Sequence, residues 1–288
     1  FIKNGGQQLE NKKKLFFLLL PLVVLMLYDA LGNVLFNWIE KGFTLFSVSE
    51  DFINTSASFI DATLATILSL VCYLFYRGIF PKKPAEVSLS LKKGLVFALV
   101  IGFGVGGLST LWLNFIDFIA NYSTILSEQA ESFSELYDDL EQGAFIWTFL
   151  AIVIVGPLVE EILFRGIIFH SLEKVTTLPW FAFVLSGVMF GIWHGSFIQG
   201  VYTAMMGIIV GYFMKKSRSL FLVFLAHAIN NLSGTLPPFL DTDFTNTLLT
   251  IVSYLCIVPM FYILFYLHRQ SKKERQLNPP TLDGTEIG

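Results

Sequence analysis

Long apolar runs alternate along this chain with short charged segments. Runs near the ~20 residues needed to cross ~30 Å of hydrocarbon occupy about 15–39, 57–80, 95–120, 145–171, 180–198 and 245–267. Two shorter runs lie at about 200–214 and 219–233, where Gly200 and Gly207 leave a broken or re-entrant segment open as an alternative. The pattern predicts an all-α fold: a polytopic integral membrane helical bundle of about eight transmembrane helices. It divides into N-terminal helices with an outer amphipathic loop (1–144), a core (145–233), and a last helix with a cytoplasmic tail (245–288).

Composition agrees. The chain has 288 residues, 54% hydrophobic and 14% charged, with mean hydropathy +0.66. A soluble domain carries about 25% charged residues. The lipid bilayer is therefore the implied environment, and no nucleic-acid partner is expected. Cys72 and Cys256 lie in apolar spans and read as small core hydrophobes.

Loop charge sets orientation, because basic residues favour the cytoplasmic side. Lys12–Lys14, Arg77, Lys82, Lys83, Lys92, Lys93, Lys174, Lys215, Lys216, Arg218, Arg269, Lys272, Lys273 and Arg275 fall in alternate loops or at the ends. The other loops hold Glu50, Asp51, an acidic stretch, Asp241 and Asp243, with Lys41 as their basic residue. Eight spans with both termini cytoplasmic fit this pattern, in a plasma membrane of bacterial type. The first span reads as an anchor, not a removed signal peptide. In the 121–142 loop, Leu126, Ala130, Phe133, Tyr137 and Leu140 recur at helical spacing among acidic residues. That predicts an interfacial amphipathic helix, acting as a solvated cap or a substrate-contacting lid. The polar tail from Gln276 to Gly288 is expected to be disordered.

Charged groups inside an apolar span narrow the function. Glu160, Glu161 and Arg165 sit within FIWTFLAIVIVGPLVEEILFRGIIF, where each charge costs roughly 2.5–3.5 kcal/mol on insertion scales. Glu161 and Arg165 are four apart and face each other on a helix, so a bidentate pair is expected. Glu160 projects elsewhere without a basic partner at helical spacing, as suits a general base. Gly156–Pro157 predicts a kink beside it. Gly187, Gly191 and Gly195 form a small-residue ridge for close helix approach, with Phe190 one turn from His194. His227 and Asn231 share another helix face. At 1.5 Å per residue, Glu160, His194 and Asn231 each lie roughly 20 Å along their helices from a flanking interfacial residue, and His227 roughly 13 Å. One common site follows. Asp29, Asn33 and Asn37 form a polar ridge on the first span that either lines the cavity or packs helices.

The order EE-xxx-R, F-xxx-H, H-xxx-N on successive spans (145–233) resembles the CPBP family of intramembrane proteases. That family comprises the type II CAAX prenyl endopeptidases and the bacteriocin-processing or self-immunity (Abi) group. The resemblance implies that Glu160 and His194 activate water, that His227 and Asn231 stabilise the oxyanion, and that Glu161 and Arg165 form a structural pair. It favours a reaction requiring no cofactor. Zinc held by Glu160, His194 and His227 is the alternative, since one carboxylate and two imidazoles make a catalytic zinc set. The implied activity is endopeptidase cleavage of a membrane-associated peptide or protein, with any membrane-protein partner unidentified. Two rival classes use the same residues: a non-proteolytic scaffold or immunity protein, and a proton-coupled transporter.

Overall fold

The computed structural model describes the backbone of residues 2–140 and 145–277 and, except at 2–8, 50–58, 61 and 135–140, their side chains. Among the described residues there are nine helices and no strand: α1 (Ile2–Leu45), α2 (Glu50–Ile79), α3 (Leu91–Ala120), α4 (Thr124–Leu140), α5 (Phe145–Val175), α6 (Phe181–Trp193), α7 (Phe197–Ser217), α8 (Leu220–Leu232) and α9 (Asp243–Leu277). Six are long and apolar enough to cross a membrane; α6 and α8 are shorter apolar helices. Met26 (71% exposed), Trp38 (69%) and Val258 (76%) turn outward on α1 and α9, a cost in water that lipid removes. The protein is a polytopic helical membrane protein. Residues 141–142 and the tail from 278, part of the expected loop and disordered segment, lie outside the described residues, as do the side chains of Tyr137 and Leu140.

The two short spans are not the pair expected. The run at 200–214 belongs to a full 21-residue helix, α7. The run at 180–198 is instead broken: α6 stops at Trp193, and Gly195 takes φ +72°, a left-handed turn that glycine enters without a Cβ clash. Ser196 then caps α7 by accepting from the Gln199 amide, as Ser219 caps α8 from Leu222.

The glycines explain why α7 stays whole. A Cβ on Gly187 would meet the Ile208 backbone nitrogen at 2.4 Å, and one on Gly191 the Gly200 carbonyl at 2.3 Å. Gly200 and Gly207 are thus a landing surface for α6, not a break. Gly195 has nothing within 4 Å of its Cβ position, so the expected ridge has two members and the third serves the turn. Around this pair, α3 packs against α7, α8 and α9, while α5 lies between α1, α2, α6 and α8.

Four chain segments meet at one end of the bundle. Glu86, in the loop before α3, pairs with Lys216 (2.7 Å) and Arg275 (2.9 Å) and accepts from Ser271. Glu173 pairs with Arg218 and Lys83. Burial alone would raise the Glu86 carboxyl. The Lys216 hydrogen bond and charge, with Ser271 and Arg275, outweigh it and hold the group below its ordinary value.

Candidate active site

The site is built around α5, whose backbone leaves α-helical register twice, over Leu150–Val155 and Ile162–Ile168. Both stretches are π-helical, a form with i→i+5 bonds that is rare elsewhere and frequent at functional sites. In the first, the Gly156 amide bonds the Ala151 carbonyl. A Cβ at 156 would lie 2.6 Å from that oxygen, so glycine is needed there. The expected proline kink takes this form, a widened turn just before Pro157. In the second, two widened-turn carbonyls, Arg165 and Gly166, lie 2.9 Å from His170 Nδ1. Carbonyls only accept, so Nδ1 carries the proton.

Glu161 and Arg165 are buried and joined by a bond of 2.9 Å. The pair is not bidentate. Arg165 Nη1 takes Glu161 Oε1 while Nη2 reaches across to the Gly207 carbonyl at 3.2 Å, which fastens α5 to the α6–α7 glycine contact. Its guanidinium also lies 4.8 Å from the Phe190 ring centroid, within cation–π range. Phe190 is fully buried and stands edge-on to both His194 (4.6 Å) and His227 (5.8 Å). It is the hub of the site.

Glu161 has a second partner that spacing does not reveal. His227 Nδ1 lies 2.8 Å from the same Oε1, and its Nε2 lies 3.5 Å from Glu160 Oε2. Glu160, unpaired by its own helix, therefore meets a ring from α8. His194 Nδ1 lies 2.7 Å from the Phe190 carbonyl; a carbonyl only accepts, so that nitrogen is the donor, and a neutral ring would keep its lone pair on Nε2. Asn231 Nδ2 donates to the Ile152 carbonyl at 2.9 Å, and Asn230 Nδ2 donates to Asn231 Oδ1 at 3.0 Å.

Glu160, His194, His227 and Asn231 all line one cavity of about 540 Å³. Sequence reasoning missed Asn230, Trp193, Thr203 and Tyr202 on its wall. The doubled asparagine and the tryptophan beside His194 were the available signals. Phe133 of α4 also lines the cavity and packs on Tyr202, so the amphipathic helix reaches the site through this side chain. The polar ridge of the first span does not. Asp29 and Asn33 line a separate groove between α1 and α2, where Asp29 accepts from Trp193.

Among the described residues no group of three His, Cys, Asp or Glu is placed to hold a metal ion. The three residues named for zinc share the cavity wall but are not among any such group.

Comparison with known proteins places this geometry in context. The chain is similar to two Bacillus subtilis (strain 168) proteins. One is named "Putative membrane peptidase YdiL", 35% identical over 78 residues, 27% of this chain and 32% of that protein. The other is named "Uncharacterized protein YyaK", 24% identical over 230 residues, 73% of each. The chain thus spans about a third of YdiL and three quarters of YyaK. No solved structure matches. Residues 142–233, the segment that carries all three motifs, match the family described as Type II CAAX prenyl endopeptidase Rce1-like.

Proposed function

We propose that this protein is an intramembrane endopeptidase that hydrolyses a peptide bond of a membrane-associated protein or peptide precursor, using water activated by Glu160. The observation that carries the reading is the placement of Glu160. Among the described cavity-lining residues it is the carboxylate, while its neighbour Glu161 is 1% exposed and committed to Arg165 and His227.

Each group then has one task. Glu160 takes a proton from water, and the His194 Nε2 lone pair orients that water. The hydroxide oxygen bonds the scissile carbonyl carbon, and the carbonyl oxygen gains the charge. His227 donates Nδ1–H to Glu161, so a ring protonated at both nitrogens offers Nε2–H to the oxyanion. The second Asn231 N–H adds to it. Collapse breaks the C–N bond as the proton held by Glu160 passes to the leaving amine. The reading needs no metal.

The basic loops that converge at the Glu86 and Glu173 end support a cytoplasmic assignment for that end, with both termini cytoplasmic, in a bacterial plasma membrane. A leader-bearing peptide, a pheromone precursor or a membrane-protein tail suits this setting better than a prenylated CAAX protein, and the processing or self-immunity roles of the Abi group fall within it.

The test is a comparison of membrane peptidomes between a deletion strain and a Glu160→Ala strain. The same uncleaved precursors should accumulate in both. A change confined to the deletion points to a scaffold and overturns the proposal.

A further inference from the structure

The Asn231 amide is held by a backbone oxygen that an ordinary helix would not offer. Two backbone donors can reach the Ile152 carbonyl as the helix continues, those of residues 156 and 157. The Gly156 N–H is spent on Ala151, and proline has no N–H. The carbonyl is left facing the cavity wall, and Asn231 Nδ2 donates to it at 2.9 Å. Asn230 fixes the other end of the amide through Oδ1. Together these bonds set which edge of Asn231 carries the donors.

We infer that Pro157 is a positioning residue for Asn231: by withholding a backbone donor from the Ile152 carbonyl, it leaves that oxygen to orient the Asn231 amide across the cavity. Gly156 cooperates, because its missing Cβ lets the Ala151 carbonyl close on the Gly156 amide. The catalytic consequence rests on the endopeptidase reading; the coupling between Pro157 and Asn231 does not. Restoring an N–H at 157 gives the helix its own partner for the freed oxygens. Pro157→Ala should therefore make α5 more regular and no less stable, while Asn231 loses its tether. A residue that merely supports the fold would lose stability and activity together.

The experiment is a double-mutant cycle on the full-length protein in detergent, with Pro157→Ala, Asn231→Ala and the double variant, read by thermal midpoint and by turnover. Asn231→Ala should lower the midpoint by several degrees when Pro157 is present, because it orphans the Ile152 carbonyl, and clearly less in the Pro157→Ala background. Loss of the Asn230 contact is common to both arms and cancels. Pro157→Ala should cut turnover by about 10–100-fold, as a small misplacement does, with the Michaelis constant little changed, and adding Asn231→Ala should then cost clearly less than it does in the wild type. Equal midpoint shifts in the two backgrounds would overturn the inference. Were the wild-type protein to cleave no peptide, the endopeptidase reading would fall, and the midpoint cycle would still decide the coupling.

Discussion

At the scale of single residues, the two adjacent glutamates should respond to the same substitution in different ways. Glu161→Gln leaves Arg165 and His227 buried with a neutral partner. Breaking a buried pair costs about 3–5 kcal/mol, so its thermal midpoint should fall well below that of Glu160→Gln. Comparable midpoints would remove Glu161 from its central place. His227→Ala and Asn231→Ala should reduce turnover by about 10²–10³ with little change in the Michaelis constant, as loss of one oxyanion donor does. Since His227 also closes the gap between two carboxylates, it should be the more damaging. A raised Michaelis constant with unchanged turnover would show that these residues bind substrate instead. Three motifs gave these residues away because their spacing is helical. The bond between His227 and Glu161 was not legible, because it joins positions 66 apart. The Ile152 carbonyl was not legible either, since a backbone oxygen leaves no mark in side-chain chemistry.

Helices are the next scale, and here glycines separate packing from turning. Gly187→Ala pushes a methyl to within 2.4 Å of the Ile208 backbone nitrogen, so α6 and α7 must part, at a cost of about 1–3 kcal/mol for such overpacking. Gly195→Ala meets no atom but is strained by φ +72°, costing about 1–2 kcal/mol. Gly42→Ala, on a helix with nothing within 4 Å, should be neutral or stabilising. Thermal unfolding in one detergent checks all three, and a Gly187→Ala protein as stable as Gly42→Ala would refute the packing account. The position of most spans was readable from hydropathy alone. The end of α6 was not, because the apolar run continues past the turn at His194–Ser196, and only the backbone at Gly195 records the break.

For the molecule as a whole, the ionic end and the cavity make separable predictions. Glu86 is held below its ordinary value by Lys216, Ser271 and Arg275. A lowered folded value means its stabilisation is full above the unfolded carboxylate range, about 4.3, and is lost as pH falls through the lower folded value. Acid should therefore lower the thermal midpoint of the wild type more than that of Glu86→Gln; equal slopes would contradict the assignment. Cysteines placed at 83 and 272 should label from the cytoplasmic side, and a cysteine at 128 from the outer side. Cytoplasmic labelling at 128 would overturn the proposed orientation.

The central claim is that Glu160 activates water for peptide-bond cleavage, and purified protein in lipid vesicles with a cleavable membrane peptide tests it most directly. Glu160→Gln is nearly isosteric and removes the basic oxygen. The account predicts a folded protein with wild-type thermal stability and no detectable turnover, while the wild type cleaves in the presence of a strong chelator. Full turnover by folded Glu160→Gln, or wild-type activity abolished by chelation and restored by zinc, would contradict it.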